Sequence, residues 1–94
     1  MKKVSNKNIS RKQFNEINAI IRNKMRNLYE VPCSRSYIYY GPRVARLKFW
    51  DIPWNFKRSK LNMIQKELKD YDLVKDVKIS RGGFFTSLIV FYAS

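Results

Sequence analysis

Apolar residues recur at Phe14, Ile17, Ile20 and Ile21, Met25 and Leu28, a spacing of three and four that gathers them on one side of a helix. The opposite side carries Arg11, Lys12, Asn15, Arg22, Asn23 and Arg26. The pattern predicts a basic amphipathic helix over about residues 11 to 29, with Ser10 available to cap it. Pro32 sets its end, because the residue before a proline is pushed out of the α region.

From Ser36 the period changes to two. Ser36 to Tyr40 is aromatic and β-branched, Gly41-Pro42 is turn chemistry, and Arg43 to Trp50 alternates, so two strands joined by a short turn are expected. Ala45, Leu47 and Phe49 share one side of the second strand, and Val44, Arg46, Lys48 and Trp50 share the other. In the first strand Ile38 is assigned to the core, and Tyr37 and Tyr39 point the other way. A two-residue turn would set Tyr39 across from Val44 and Tyr37 across from Arg46. Proline is unusual in the second place of such a loop, so the register stays open.

Asp51 to Phe56 reads as a connection whose Trp54 and Phe56 pack back over the core. A second helix is expected at about residues 55 to 71, with Leu61, Ile64, Leu68 and Tyr71 on one face and Lys57, Arg58, Lys60, Lys66 and Lys69 elsewhere. Leu73, Val77 and Ile79 then alternate with Asp76, Lys78 and Ser80. Arg81-Gly82-Gly83 supplies a turn, and Phe84 to Tyr92 is nearly all apolar. This predicts a second hairpin, whose last strand is either central and covered on both faces or carries an aromatic binding face.

The element order is α-ββ-α-ββ. Two helices on one face of a four-stranded antiparallel sheet satisfy the two-layer rule, giving an α+β sandwich. It corresponds to a ferredoxin-like βαββαβ domain whose first strand has moved to the C-terminus. A winged helix is the alternative, with the Ser80 to Gly83 tip as its wing. Residues 1 to 9 are polar and without period, so a flexible basic arm is expected ahead of a single domain over residues 10 to 94.

Charge narrows the class of function. Among 94 residues Lys and Arg number 20 against 7 Asp and Glu, a net charge of +13, and most of the excess lies in the first half. A field of that size on a body this small draws polyanions, so nucleic acid, an anionic membrane surface or an acidic protein are the candidate partners. No stretch approaches the length of apolar sequence that a membrane span needs, and the N-terminus lacks the apolar run of a signal peptide. A cytoplasmic protein is expected. The single cysteine, Cys33, leaves no intrachain disulfide and no thiolate zinc site, which fits a reducing compartment.

Catalytic chemistry is poorly provided for. There is no histidine, and three glycines are too few for a phosphate-cradling loop. Asp70, Asp72 and Asp76 straddle a helix end and a strand start, where pairing with Lys69, Lys75 or Lys78 is the simpler reading than a metal site. No catalytic residue, metal or cofactor is therefore expected.

Stacking and charge remain. Tyr37, Tyr39 and Trp50, with Arg35, Arg46 and Lys48, would place aromatic faces and cations on one sheet surface, the combination that holds single-stranded nucleic acid. Arg43 from the turn, Arg22 and Arg26 from the basic helix, and Arg81 from the second turn complete the candidate set. The layout resembles that of RNA-recognition-motif sheets, although the octapeptide of that family is missing and no membership follows. A small non-enzymatic binder of single-stranded DNA or RNA is the first expectation. The alternative is an accessory or inhibitor protein of phage or mobile-element type that docks on an acidic protein surface. An exposed hairpin edge also offers a surface for a homodimer.

Overall fold

In the computed structural model, which describes residues 8 to 93, the first helix α1 (Arg11–Asn23) begins with a double cap. Ser10 Oγ accepts from the Gln13 backbone N–H at 3.1 Å, and Gln13 Oε1 accepts from the Ser10 N–H at 3.0 Å. Two of the helix's unpaired donors are thereby satisfied. The apolar stripe buries Phe14, Ile17 and Ile21 against the sheet and leaves Ile20 on the outside.

The helix then widens into a π-turn at Lys24–Leu28, in which the Tyr29 N–H donates to Lys24 O at 2.8 Å. This i→i+5 turn corrects one expectation. The stripe runs from Met25 to Tyr29, which is buried, and Leu28 is 61% exposed rather than core. The Tyr29 hydroxyl donates to Glu67 Oε1 at 2.7 Å, tying the π-turn to the second helix. The chain reverses at Glu30, which takes a positive φ of 54°, and Pro32 follows only after the helix has already ended.

Four strands form one antiparallel sheet in the order β1-β2-β4-β3: β1 (Ser36–Tyr40), β2 (Ala45–Pro53), β3 (Val74–Gly82) and β4 (Phe85–Tyr92). The second helix, α2 (Arg58–Lys69), is shorter at both ends than the period suggests. The fold is the α+β sandwich expected from the element order, with both helices on one face. The strand order is that of a split βαβ sheet with its first strand moved to the C-terminus, and β4 is central as its apolar run implies. Two α-helices on a four-stranded sheet are not a winged helix.

The core is one cluster. Phe14, Ile17 and Ile21 of α1 and Leu61, Ile64 and Leu68 of α2 meet Ala45, Leu47, Phe49, Val77, Leu88 and Val90 of the sheet. Phe14 packs edge-on to Tyr92 with ring centroids 5.6 Å apart, and against Tyr40 at 5.0 Å. Such ring pairs add to the stabilisation from burial alone.

Several placements differ from the sequence-based ones. The β1–β2 loop is four residues, closed by Gly41 N–H donating to Val44 O at 2.9 Å, so Tyr39 pairs with Arg46 and Tyr37 with Lys48. The slip from the expected register is two residues, which keeps every side chain on its expected face. Ile38 lies opposite Leu47 on the helix side, but on the edge strand it is 39% exposed rather than core. Trp54 stands out at 64% exposed, whereas Phe56 packs on the core as expected. The second hairpin turns at Gly83 and Phe84, one step beyond the expected site. Gly83 takes φ 53°, which a two-residue hairpin loop needs at its first position.

Residues 1 to 7 of the expected arm lie outside the described residues. Ile9, assigned to that arm, is buried; its N–H donates to Ala93 O at 2.8 Å and its carbonyl accepts from the Tyr40 hydroxyl at 2.9 Å. The folded domain therefore starts before Ser10.

Candidate functional site

With both helices on one side, the other side of the sheet carries its own surface, which no described helix covers. Cross-strand pairing sets the rows. Tyr39 of β1 lies beside Arg46 of β2 and then Phe91 of β4; Tyr37 lies beside Lys48, then Ile89, then Lys78 of β3. Residues paired across strands share a face, so these two rows are contiguous. Tyr37 and Tyr39 are 41% and 47% exposed.

Four of the rings on this surface have a cation over them. The Arg46 guanidinium lies 5.7 Å from the Tyr39 centroid, Lys48 Nζ 5.9 Å from Tyr37, and Lys78 Nζ 5.8 Å from Phe91. Arg35 lies 5.2 Å from the Trp50 ring. These distances fall within cation–π range, which holds the cations at the surface instead of leaving them free to swing.

A β-bulge builds the Arg35–Trp50 pair. The β2–β4 register shifts between Phe49 and Ile52, so both of those residues face the core and Trp50 stays on the open side. Asp51, at the bulge, accepts from Cys33 Sγ at 2.7 Å, from Ser34 Oγ at 2.9 Å and from the Arg35 N–H at 3.1 Å. Burial alone would raise the Asp51 pKa, but these donors outweigh it and hold the carboxyl below its ordinary value. Burial, together with donation to Asp51, pushes the Cys33 thiol up to about 11. Cys33 is thus a structural donor that fixes the chain segment carrying Arg35.

Of the ten candidate residues, Arg35, Tyr37, Tyr39, Arg46, Lys48 and Trp50 come together on the open face. Arg43 lies in the loop at the end of the same hairpin. Arg22 and Arg26 are on the other layer, lining a groove with Ser36 and Phe49 between the end of α1 and the helix side of β1. Arg81 also points to the helix side, since its strand partner Thr86 is buried there, and its guanidinium reaches Trp54 O at 3.5 Å. The candidates therefore divide between the two sides of the sheet.

Sequence reading allowed the last strand an aromatic binding face but named none of the residues that the second hairpin brings to the open face: Lys78, Ser80, Phe85, Ser87, Ile89 and Phe91. The alternation of Thr86, Leu88, Val90 and Tyr92 as the buried set was the available signal, masked because the residues between them are also mostly apolar. Asp76, part of the acidic trio, pairs with Lys69 at 3.5 Å. Among the described residues no group of three His, Cys, Asp or Glu is placed to hold a metal ion, and no helix is long and apolar enough to cross a membrane.

In comparisons with protein-family models, curated proteins and solved structures, nothing matches the chain.

Proposed function

We propose that the protein is a non-enzymatic binder of single-stranded DNA or RNA, acting in the cytoplasm through the open face of its sheet. One observation carries this reading: the two cross-strand pairs Tyr37–Lys48 and Tyr39–Arg46 set exposed rings and cations side by side in consecutive rows. Tyr37 and Tyr39 are two residues apart on one strand, hence about 6.7 Å, twice the roughly 3.4 Å between stacked bases. A single strand can lay bases on these rings while Arg46, Lys48 and Lys78 meet its phosphates. The net charge of +13 brings the polyanion to the surface.

The test is binding of labelled single- and double-stranded oligonucleotides, of both DNA and RNA, at two salt concentrations. Micromolar or tighter binding to single strands that falls steeply with salt is the expected result. Absence of binding even at low salt overturns the reading.

A second reading has its own observation. Trp54 and Phe84, 64% and 80% exposed, stand near the sheet end where Pro53 pairs with Phe85. Exposed aromatics beside arginine are what protein interfaces enrich. An accessory protein of phage or mobile-element type, docking on an acidic protein surface or pairing with a second copy, would use this end. It is favoured if the oligonucleotides fail to bind.

A further inference from the structure

We infer that a notch in the open face seats one unstacked base of the bound single strand; this rests on the reading of that face as a nucleic-acid surface. The notch has a volume of about 350 Å³, within the size range of small-ligand sites. Its walls are the rings of Tyr37, Trp50 and Phe85, which come from three different strands. Its floor is small: Ser80 pairs with Ser87 across β3 and β4, and Gly82 pairs with Phe85 in the next row on that face. Small residues in line across two strands, ringed by large ones, leave a dip that a planar ring can enter.

The chemistry of the walls and floor selects the occupant. Ring faces offer stacking to any base, and the two serine hydroxyls both donate and accept, so they satisfy the polar edge of a purine or a pyrimidine. Lys48 at the margin and Arg35 over Trp50 supply positive charge for the flanking phosphates. An aliphatic ligand would leave the hydroxyls unpaired, and an acidic peptide would have little to set against the rings. A nucleotide within a strand uses all of them.

Gly82 provides the test. Its φ is not in the left-handed region, and a Cβ added there meets nothing within 4 Å, so a side chain can be introduced without straining the backbone. Gly82→Leu would project onto the same face as Phe85 and fill the notch. Oligonucleotide affinity should fall by about 5- to 150-fold, the worth of one base stack, while the thermal transition and the salt slope stay as in the wild type. Phe85→Ala, at a half-exposed wall position, should give a similar loss and decides the matter if Gly82→Leu does not fold. In a Trp54→Phe background, where Trp50 is the sole tryptophan, a nucleoside monophosphate should quench the fluorescence, and Gly82→Leu should abolish the quenching.

If the wild type binds oligonucleotides and both variants bind as tightly, the notch is not a base seat although the face reading stands. If the wild type binds no oligonucleotide, the face reading itself fails and the notch proposal with it.

Discussion

Cys33 Sγ lies 2.7 Å from Asp51 Oδ1, and this contact joins the segment leading into β1 to the bulge of β2. Together with the bonds from Ser34 and Arg35, it makes one carboxylate the anchor for the chain that brings Arg35 over Trp50. Asp51 therefore acts on the open face from beneath it.

Because its pKa is depressed in the folded protein, ionised Asp51 contributes stability that is present above the unfolded pKa of about 3.9 and is lost as pH falls through the lower folded value. Asp51→Asn should be less stable than the wild type at neutral pH, and the difference should shrink below about pH 4. Thermal melts from pH 2.5 to 7 check this, with Trp50 emission in a Trp54→Phe background reporting the loosened Arg35. A difference independent of pH would show that the carboxylate charge is irrelevant to the anchor.

The thiol has the opposite linkage. Its pKa is raised to about 11 in the folded state by burial and by donation to Asp51, so its contribution is full below the unfolded value of about 8.5 and is lost as pH rises through 11. Since the thiolate is the reactive form, iodoacetamide should alkylate Cys33 at pH 8 at least about tenfold more slowly in the folded protein than in denaturant. Equal rates would mean the hydrogen bond to Asp51 is not held in solution.

Tyr37→Ala combined with Tyr39→Ala removes two exposed rings that no core contact requires. Single-strand affinity should drop by about 30-fold or more, from two stacks of roughly 1 to 3 kcal/mol each, with the thermal transition retained. Loss of the thermal transition in the double variant would identify those tyrosines as structural.

Under α1, the Tyr92 hydroxyl donates to Asn18 Oδ1 at 2.6 Å across 74 residues of sequence, with both side chains buried. Asn18 Nδ2 has no hydrogen-bond partner among the described residues. Tyr92→Phe should destabilise by about 1 to 3 kcal/mol, because the Asn18 carbonyl is then also orphaned. Asn18→Leu with Tyr92→Phe should recover most of the loss, since no buried polar group remains. Denaturant titrations of the two single variants and the double variant measure the coupling.

Much of the fold was written in local pattern. The three-four spacing of Phe14, Ile17 and Ile21 and the alternation of Ala45, Leu47 and Phe49 each require one buried face, and four hairpin strands plus two such helices have few ways to bury them together. Parity alone separated Tyr37 and Tyr39 from the core, and it survived a register error of two residues because side chains alternate with period two.

What tertiary structure decided is where local signals were silent or conflicting. The three-four spacing put Leu28 in the buried stripe, and the π-turn put Tyr29 there instead. Ile38 has the right parity for burial, but its place on the edge strand leaves it exposed. Phe85, Ile89 and Phe91 are apolar enough to be core, and the strand pairing that sets them beside Gly82, Lys48 and Arg46 on the uncovered side made them a surface. Arg22, Arg26 and Arg81 are as basic as Arg46, yet the sheet stands between them and the open face. Sequence by itself determined which residues alternate and which charges accumulate, because these are properties of neighbours along the chain. Which apolar face is left uncovered, and which cations share it, depended on contacts between residues far apart in sequence, and that was decided only when the two layers packed.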